Sequence, residues 1–146
     1  MGDYDYVPEI MKELGININF KSLAIQPGRP TVFGVTSDRY LFGLPGNPVS
    51  SFVLFEVLVK PMIYRLMGHH FKPVTLMLPI GKTYTRKKSA RKSMLPVCIK
   101  ADGKVYPVEY HGSAHIHSYI FADGLIEVPI GETLIKEGDI VNVRQI

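Results

Sequence analysis

The feature that most constrains the fold is a glycine- and proline-rich loop that runs directly into a long apolar segment. The loop is Gly43-Leu44-Pro45-Gly46-Asn47-Pro48, and apolar residues predominate from Val49 to Ile63. Spanning a bilayer takes about 20 residues with few or no charges, whereas this segment is shorter and carries charges. The pattern predicts a buried helix from Pro48 to about Lys60, with a break or kink near Pro61, and no membrane partner.

The start of this helix is the strongest candidate binding feature. Asn47 is placed to cap the helix, and Pro48 suits the first helical position, where its missing N–H costs nothing. Backbone N–H groups are then expected to be free at Val49, Ser50 and Ser51. Gly46, which follows Pro45, lets a ligand approach the backbone closely. Such a terminus binds phosphate without a lysine. The alternative interpretation is a tight strand-to-helix turn with no ligand.

Upstream of this loop, the pattern predicts one helix and three strands. Apolar residues at helical spacing from Val7 to Leu14 predict a helix, which Gly15 ends and Asp5 is placed to cap. Strands are expected at residues 16–25, 31–35 and 40–44. Strands followed by a glycine loop and a helix are typical of the closing half of an α/β domain.

Downstream of Phe71 the helical period is lost and short β-rich runs follow. Ala101-Asp102-Gly103-Lys104 is a good hairpin turn between two of them. Several short strands with glycine turns predict a small β-barrel or sandwich. We therefore expect two units, residues 1–71 and 72–146. The predicted strands are Val74–Leu78, Met94–Lys100, Val105–Tyr110, Leu125–Pro129 and Ile140–Ile146.

Charge and cysteine content narrow the classes of function. Cys98 is the only cysteine, so an internal disulfide is excluded and a cytoplasmic location is expected. The net charge is +4, with basic residues concentrated between Lys82 and Lys92. Only Tyr84 is an aromatic neighbour of that stretch, so a solvated loop is favoured over a nucleic-acid partner. His111, His115 and His117 are likewise more typical of surface or structural histidines than of a metal site.

The loop and helix start read GLPGNPVSSF, and residues 2–7 read GDYDYV. These segments resemble the MoeA/gephyrin family, the molybdopterin molybdenumtransferases, in which residues 2–7 correspond to the end of a GGVSVGDYDxV segment. Residues 23–30 resemble its KPGKP-type loop, while Gly112-Ser113, Ala122-Asp123-Gly124 and Glu137-Gly138-Asp139 fit its last domain. The resemblance runs in one order over essentially the whole chain.

The resemblance implies the C-terminal half of a Mog/MoaB-like molybdopterin-binding α/β domain, followed by the family's β domain. It implies molybdenum cofactor biosynthesis, in which molybdate enters adenylylated molybdopterin and AMP is released. Mg²⁺ or a similar cation assists, which suits carboxylate ligands: Asp5 matches an acidic active-site residue, and Asp3 is a weaker second ligand. For both carboxylates, charge complementarity with a helix start is the alternative interpretation.

The resemblance also implies ligand-binding residues, with some departures from the family pattern. Pro27, Gly28 and Arg29 belong to the expected anion-facing loop, where arginine offers a bidentate fork. Ser113 and Ser118 are expected to face the ligand ahead of the histidines. The departures are Gln26 and Ser22 at common lysine positions, Ala90 at a usual glycine and Pro96 at a usual arginine.

Assembly follows from the same resemblance, which implies a homodimer with the active site shared between chains and a molybdopterin adenylyltransferase as a further partner. Because the match begins inside a motif, we expect a fragment that is inactive alone. Three alternatives remain: a Mog-type adenylyltransferase-like module, a non-catalytic scaffold or binding module of the same superfamily, and an RNA-binding β domain. The β-rich tail disfavours the first, and salt-dependent RNA binding would identify the last.

Overall fold

A computed structural model describes residues 6–108 and 116–146, with the side chains of 116–118 excepted. The helical elements are α1 (Val7–Glu13), α2 (Pro48–Leu54), a π-helical turn (Phe55–Val59), α3 (Lys60–Leu66) and a 3₁₀ helix (Ile116–Phe121). The strands are β1 (Asn17–Phe20), β2 (Ile25–Gln26), β3 (Val32–Val35), β4 (Tyr40–Gly43), β5 (Thr75–Pro79), β6 (Tyr84–Thr85), β7 (Lys92–Ile99), β8 (Val105–Pro107), β9 (Gly124–Val128), β10 (Leu134–Ile135) and β11 (Ile140–Gln145).

The first part of the chain forms a small antiparallel sheet with the order β1-β3-β4, covered on one face by α1. Met11 of α1 is buried against Ile16 and Val32. The expected single strand over residues 16–25 is wrong, because the chain turns after Phe20. The Leu23 N–H donates to the carbonyl of Arg29 at 3.0 Å, which closes a loop and sends β2 to another sheet.

The apolar segment is helical from Pro48, as predicted, but it continues to Leu66 rather than ending near Lys60. The irregularity precedes Pro61 as a π-helical turn, in which the Lys60 N–H donates to the Phe55 carbonyl five residues earlier. In that register the Pro61 nitrogen faces the Glu56 carbonyl and has no hydrogen to give. Nη2 of Arg144, on β11, supplies the missing donor.

The second part of the chain is a barrel rather than a sandwich. Neighbouring strands follow the order β5-β11-β9-β7-β8, and a bridge between Ile80 and Val105 brings β8 back to the end of β5. Alternate residues point inward and bury a continuous apolar core. Its members are Ile80, Leu95, Val97, Val105, Ile126, Val128, Ile135, Val141 and Val143.

The barrel packs directly against the long helix. Met94 of β7 and Leu125 of β9 point outward from the barrel and are buried against Val49 and Val53 of α2, together with Tyr119. Strand β2 adds a parallel pairing to β7, so a segment from the first part of the chain extends the second sheet. The boundary between residues 71 and 72 stays a prediction. Strand β2 precedes this boundary in sequence, yet it pairs with β7, which follows the boundary.

The five predicted β runs each overlap an observed strand, although their ends differ, and the predicted hairpin joins Ile99 to Val105. Residues 109 and 110, placed in the third run, lie outside the described residues. The short strands β2, β6 and β10 and the 3₁₀ helix were not predicted. In the described part of the chain, none of the helices combines the length and apolar character that crossing a membrane requires.

Replacing Arg144 by methionine is expected to lower the free energy of unfolding by about 1.5–3 kcal/mol, because the Glu56 carbonyl loses a charged donor. In a Pro61→Ala background the same replacement is expected to cost less, since alanine returns an N–H to the helix. Urea unfolding of the wild type, both single variants and the double variant measures this coupling. Equal costs in the two backgrounds would contradict the compensation.

Candidate functional site

The loop before α2 forms a closed cap. The Asn47 side chain accepts a hydrogen bond from the Ser50 N–H at 3.2 Å, as the sequence predicts. The Ser51 N–H donates to the Asn47 carbonyl at 3.0 Å, and the Ser51 hydroxyl donates to the Pro45 carbonyl. The expectation that the N–H groups of Ser50 and Ser51 are free is therefore wrong, because the cap and the first helical turn already use them.

The outer surface of this loop remains open. Gly46 and Pro48 are exposed, whereas Ser50 is buried. A Cβ added at Gly46 would meet no atom within 4 Å, so glycine leaves this stretch of backbone accessible to a molecule from outside. The geometry makes Gly46 and the neighbouring Asn47 better placed for a ligand than Ser50.

The second candidate loop, residues 26–30, is anchored on α2. Gly28 has φ +117° and is buried, and a Cβ there would lie 2.8 Å from Leu54 side-chain atoms. Its carbonyl accepts a hydrogen bond from the Thr31 hydroxyl at 2.7 Å. Gly28 therefore fixes the loop, and Arg29 stands exposed with no side-chain hydrogen bond or ion pair to the other described residues. That guanidinium is available to an anion.

A cavity of about 440 Å³ lies between the second loop and the barrel. Gln26 and Pro27 line one part of it, and Tyr84, Pro96 and Tyr119 line other parts. The Tyr119 ring packs edge-on against Phe52 of α2, with ring centroids 5.6 Å apart. The structure thus brings Pro27 close to the 3₁₀ helix whose backbone includes residue 118.

Several predicted site residues cannot be placed by this geometry. Asp3, Asp5 and Ser113 lie outside the described residues, as do His111 and His115, and the side chains of Ser118 and His117 are not described. Among residues 6–108 and 119–146, no group of three histidine, cysteine, aspartate or glutamate side chains is arranged to hold a metal ion.

The basic stretch contains a structural arginine that sequence reasoning missed. Arg86 donates from Nε to the Glu132 carbonyl at 2.6 Å, from Nη1 to the Arg91 carbonyl at 2.8 Å, and from Nη2 to the Pro129 carbonyl. The expected solvated loop is therefore wrong at Arg86, although Lys87 is exposed. Within a run of basic residues, the sequence does not show which side chain donates hydrogen bonds to the backbone carbonyls of distant residues.

A second arginine missed by sequence reasoning is Arg144. Burial lowers the pKa of its guanidinium, while the nearby carboxylates of Glu56 and Glu127 act in the opposite direction. Elsewhere, the hydrogen bond between the Tyr106 hydroxyl and Asp102 lowers the carboxyl pKa and raises that of the tyrosine. These last two groups lie in the barrel hairpin, so they contribute nothing to the candidate loops.

Comparison with known proteins finds two matching regions in the chain. Residues 1–65 match the family described as a probable molybdopterin binding domain, and residues 81–146 match the MoeA C-terminal region, domain IV. A molybdopterin molybdenumtransferase from Staphylococcus epidermidis is 34% identical over 98% of the chain, and one from Staphylococcus aureus is 30% identical over the same share. The chain spans about a third of these relatives, 35% of each.

Solved structures agree with the sequence comparison. A molybdopterin biosynthesis MoeA protein from Pyrococcus horikosii superposes with a TM-score of 0.82 and 32% identity, covering 97% of this chain and 34% of that one. A molybdenum cofactor biosynthesis protein from Pyrococcus furiosus, 22% identical with a TM-score of 0.78, shares the fold over 99% of this chain and 55% of its own. With both family regions present in order, the chain belongs to the MoeA family and carries its carboxy-terminal region.

Proposed function

We propose that the protein to which this chain contributes acts in molybdenum cofactor biosynthesis, inserting molybdate into adenylylated molybdopterin and releasing AMP. One observation carries the proposal: the two loops assigned to ligand binding are held on the same helix. Asn47 caps the start of α2, and Gly28 packs the second loop on Leu54 at the end of α2. The names of the relatives, molybdopterin molybdenumtransferases, support the reaction.

The chemistry of the two loops suits an anionic pterin substrate. Pro45, Gly46, Asn47 and Pro48 provide an open backbone surface beside the partial positive charge of a helix start. Arg29 supplies a fixed positive charge with a planar fork for phosphate or molybdate oxygens. The proline- and tyrosine-lined cavity beside Pro27 offers flat apolar surfaces of the kind that a planar heterocycle packs against.

A magnesium ion held by Asp5, with Asp3 as a second ligand, is part of the proposal but rests on the family resemblance. The described residues contain no alternative metal cluster. A hard cation would neutralise charge between phosphate groups. The two carboxylates would also suit a helix start without a metal, so their role requires a direct test.

We also propose a homodimer in the cytoplasm, with Ser113 and Ser118 of one chain completing the site of the other. Exposed apolar residues on β5 and just before it support association, since Val74 and Met77 are 60% and 65% exposed. A molybdopterin adenylyltransferase is the proposed supplier of the activated pterin. A shared site is physically reasonable because a pyrophosphate and an oxyanion need donors on several sides.

Gly46→Ala is expected to weaken binding of adenylylated molybdopterin about tenfold, about 1.4 kcal/mol, because a methyl group would occupy the ligand's approach to the backbone. The melting temperature is expected to stay near that of the wild type. Gly28→Ala is the matched control: it is expected to lower stability by about 1–3 kcal/mol through clash and left-handed strain. Titration calorimetry and thermal unfolding separate the two effects, and unchanged affinity in Gly46→Ala would exclude contact at that glycine.

Asp5→Ala, made in the full-length protein, is expected to lower molybdenum insertion while leaving pterin phosphate binding largely intact. A carboxylate that assists the reaction contributes more to turnover than to binding of a phosphate held elsewhere. AMP release and pterin binding are measured in parallel, with Glu9→Ala as a control for loss of charge on α1. The N-cap of α1 is Tyr6, without a side-chain cap hydrogen bond, so the expected capping by Asp5 is wrong. Wild-type turnover in Asp5→Ala would exclude a role for this carboxylate in the reaction.

Mixing full-length Asp5→Ala chains with full-length Ser118→Ala chains is expected to restore part of the activity. In a mixed dimer with shared sites, one site keeps both residues while the other loses both. Recovery is measured as AMP release after the chains are exchanged, with each inactive homodimer as the control. If the mixed dimer forms and recovers no activity, the two residues do not act across the dimer.

A further inference from the structure

A second cavity, of about 520 Å³, lies where the π-helical turn faces the outside of the barrel. Its accessible apolar wall includes Ile25 of β2, Val57 of the π-helical turn and Pro73, and its polar rim includes Lys92 and Arg144. This volume is within the range of small-molecule sites, which combine apolar walls with a few placed polar groups. None of the loop residues assigned above from Pro27 to Ser50 lines it.

Arg144 enters this cavity with incomplete pairing. Nη2 donates to the Glu56 carbonyl, but Nε is buried with no hydrogen-bond partner among the described residues. The guanidinium also lies over the Phe71 ring, 5.7 Å from its centroid, and forms no ion pair with a described carboxylate. Burial lowers its pKa, while the nearby carboxylates of Glu56 and Glu127 act in the opposite direction. Both carboxylates are already paired with lysines, so an anion in the cavity would add a direct partner for the guanidinium.

Lys92 provides a second cation whose present partner can be exchanged. Its Nζ lies 2.6 Å from a carboxylate oxygen of Glu127, with the two side chains 42% and 54% exposed. Pairs exposed to this extent contribute little to stability and open readily. The charged residues of the lining are two cations and one carboxylate, which leaves a net charge of +1 facing the cavity. Thr75 and Asn142 add neutral polar groups at the same rim.

We propose that this cavity binds a small anion that carries a phosphate or carboxylate head on a short apolar body. The head accepts hydrogen bonds from the Arg144 guanidinium and from Lys92, while the body packs on the half-buried side chains of Val57 and Pro73. Because Ile25 lines the same cavity and directly precedes the second candidate loop, an occupant would also contact the strand that supports that loop.

The test uses the full chain and three probes: n-butylphosphonate, n-butyrate and n-butanol. The phosphonate or the butyrate is expected to shift the Arg144 Nε–H resonance in a saturable way and to raise the melting temperature. The uncharged alcohol is expected to do neither at the same concentration. Tighter binding of the phosphonate identifies a phosphate-bearing ligand, and tighter binding of butyrate identifies a carboxylate. Equal effects of butanol, or no saturable shift with any probe, overturn the proposal.

Variants locate the binding. Arg144→Met is expected to weaken binding of the tighter anion about tenfold or more, the scale of a lost charged hydrogen bond, whereas Arg39→Met, an exposed arginine on the β3–β4 turn, leaves it unchanged. Asn142→Asp adds negative charge at the rim without removing Arg144 and is expected to weaken binding about threefold. Asn17→Asp, with the same charge change on β1, is its control. Unchanged affinity in Asn142→Asp and in folded Arg144→Met overturns the proposal.

Discussion

A hydrogen bond from Arg144 ties the long helix to the barrel. It replaces the backbone hydrogen bond that Pro61 cannot make. A proline inside a helix removes a donor and crowds the preceding turn. Here the helix widens to a π-helical turn, so the carbonyl left without an N–H is that of Glu56, and Arg144 reaches it from the last strand. A local defect in the helix thereby becomes a contact between two parts of the chain that are far apart in sequence, and the cost of the defect is offset by tertiary structure.

The same helix positions the two candidate loops that the structure describes. Asn47 defines its start, Leu54 supports Gly28 and hence Arg29, and Phe52 holds the Tyr119 ring of the 3₁₀ helix. The buried side of the helix is fixed by Val49 and Val53 against the barrel wall. Because these contacts come from successive turns of one rigid element, a change in helix register would move both candidate loops and the 3₁₀ helix together.

Sequence reasoning succeeded where structure is governed by neighbours along the chain. The Asn47-Pro48 helix start and the hairpin after Ile99 follow local capping and turn rules, and short β-rich runs located most barrel strands. It failed where a distant partner decides the outcome: β2 is only two residues long and exists through its pairing with β7. Arg86 and Arg144 look like ordinary surface charges in sequence, because backbone carbonyls that bind them leave no trace in residue type. The sequence predicted which motifs make up the candidate site, but it did not predict how these motifs are arranged around α2.

The closed cap at Asn47 changes how an anion can use this helix start. A phosphate oxygen reaches the Ser50 N–H only by replacing the Asn47 side-chain oxygen, an exchange that gives up a cap of about 1 kcal/mol. Aspartate would cap the helix comparably, but its negative charge would repel the incoming phosphate. The neutral amide of asparagine caps without that repulsion and can turn its NH₂ group toward the ligand. Asparagine thus caps the helix without placing a negative charge beside the proposed anion site.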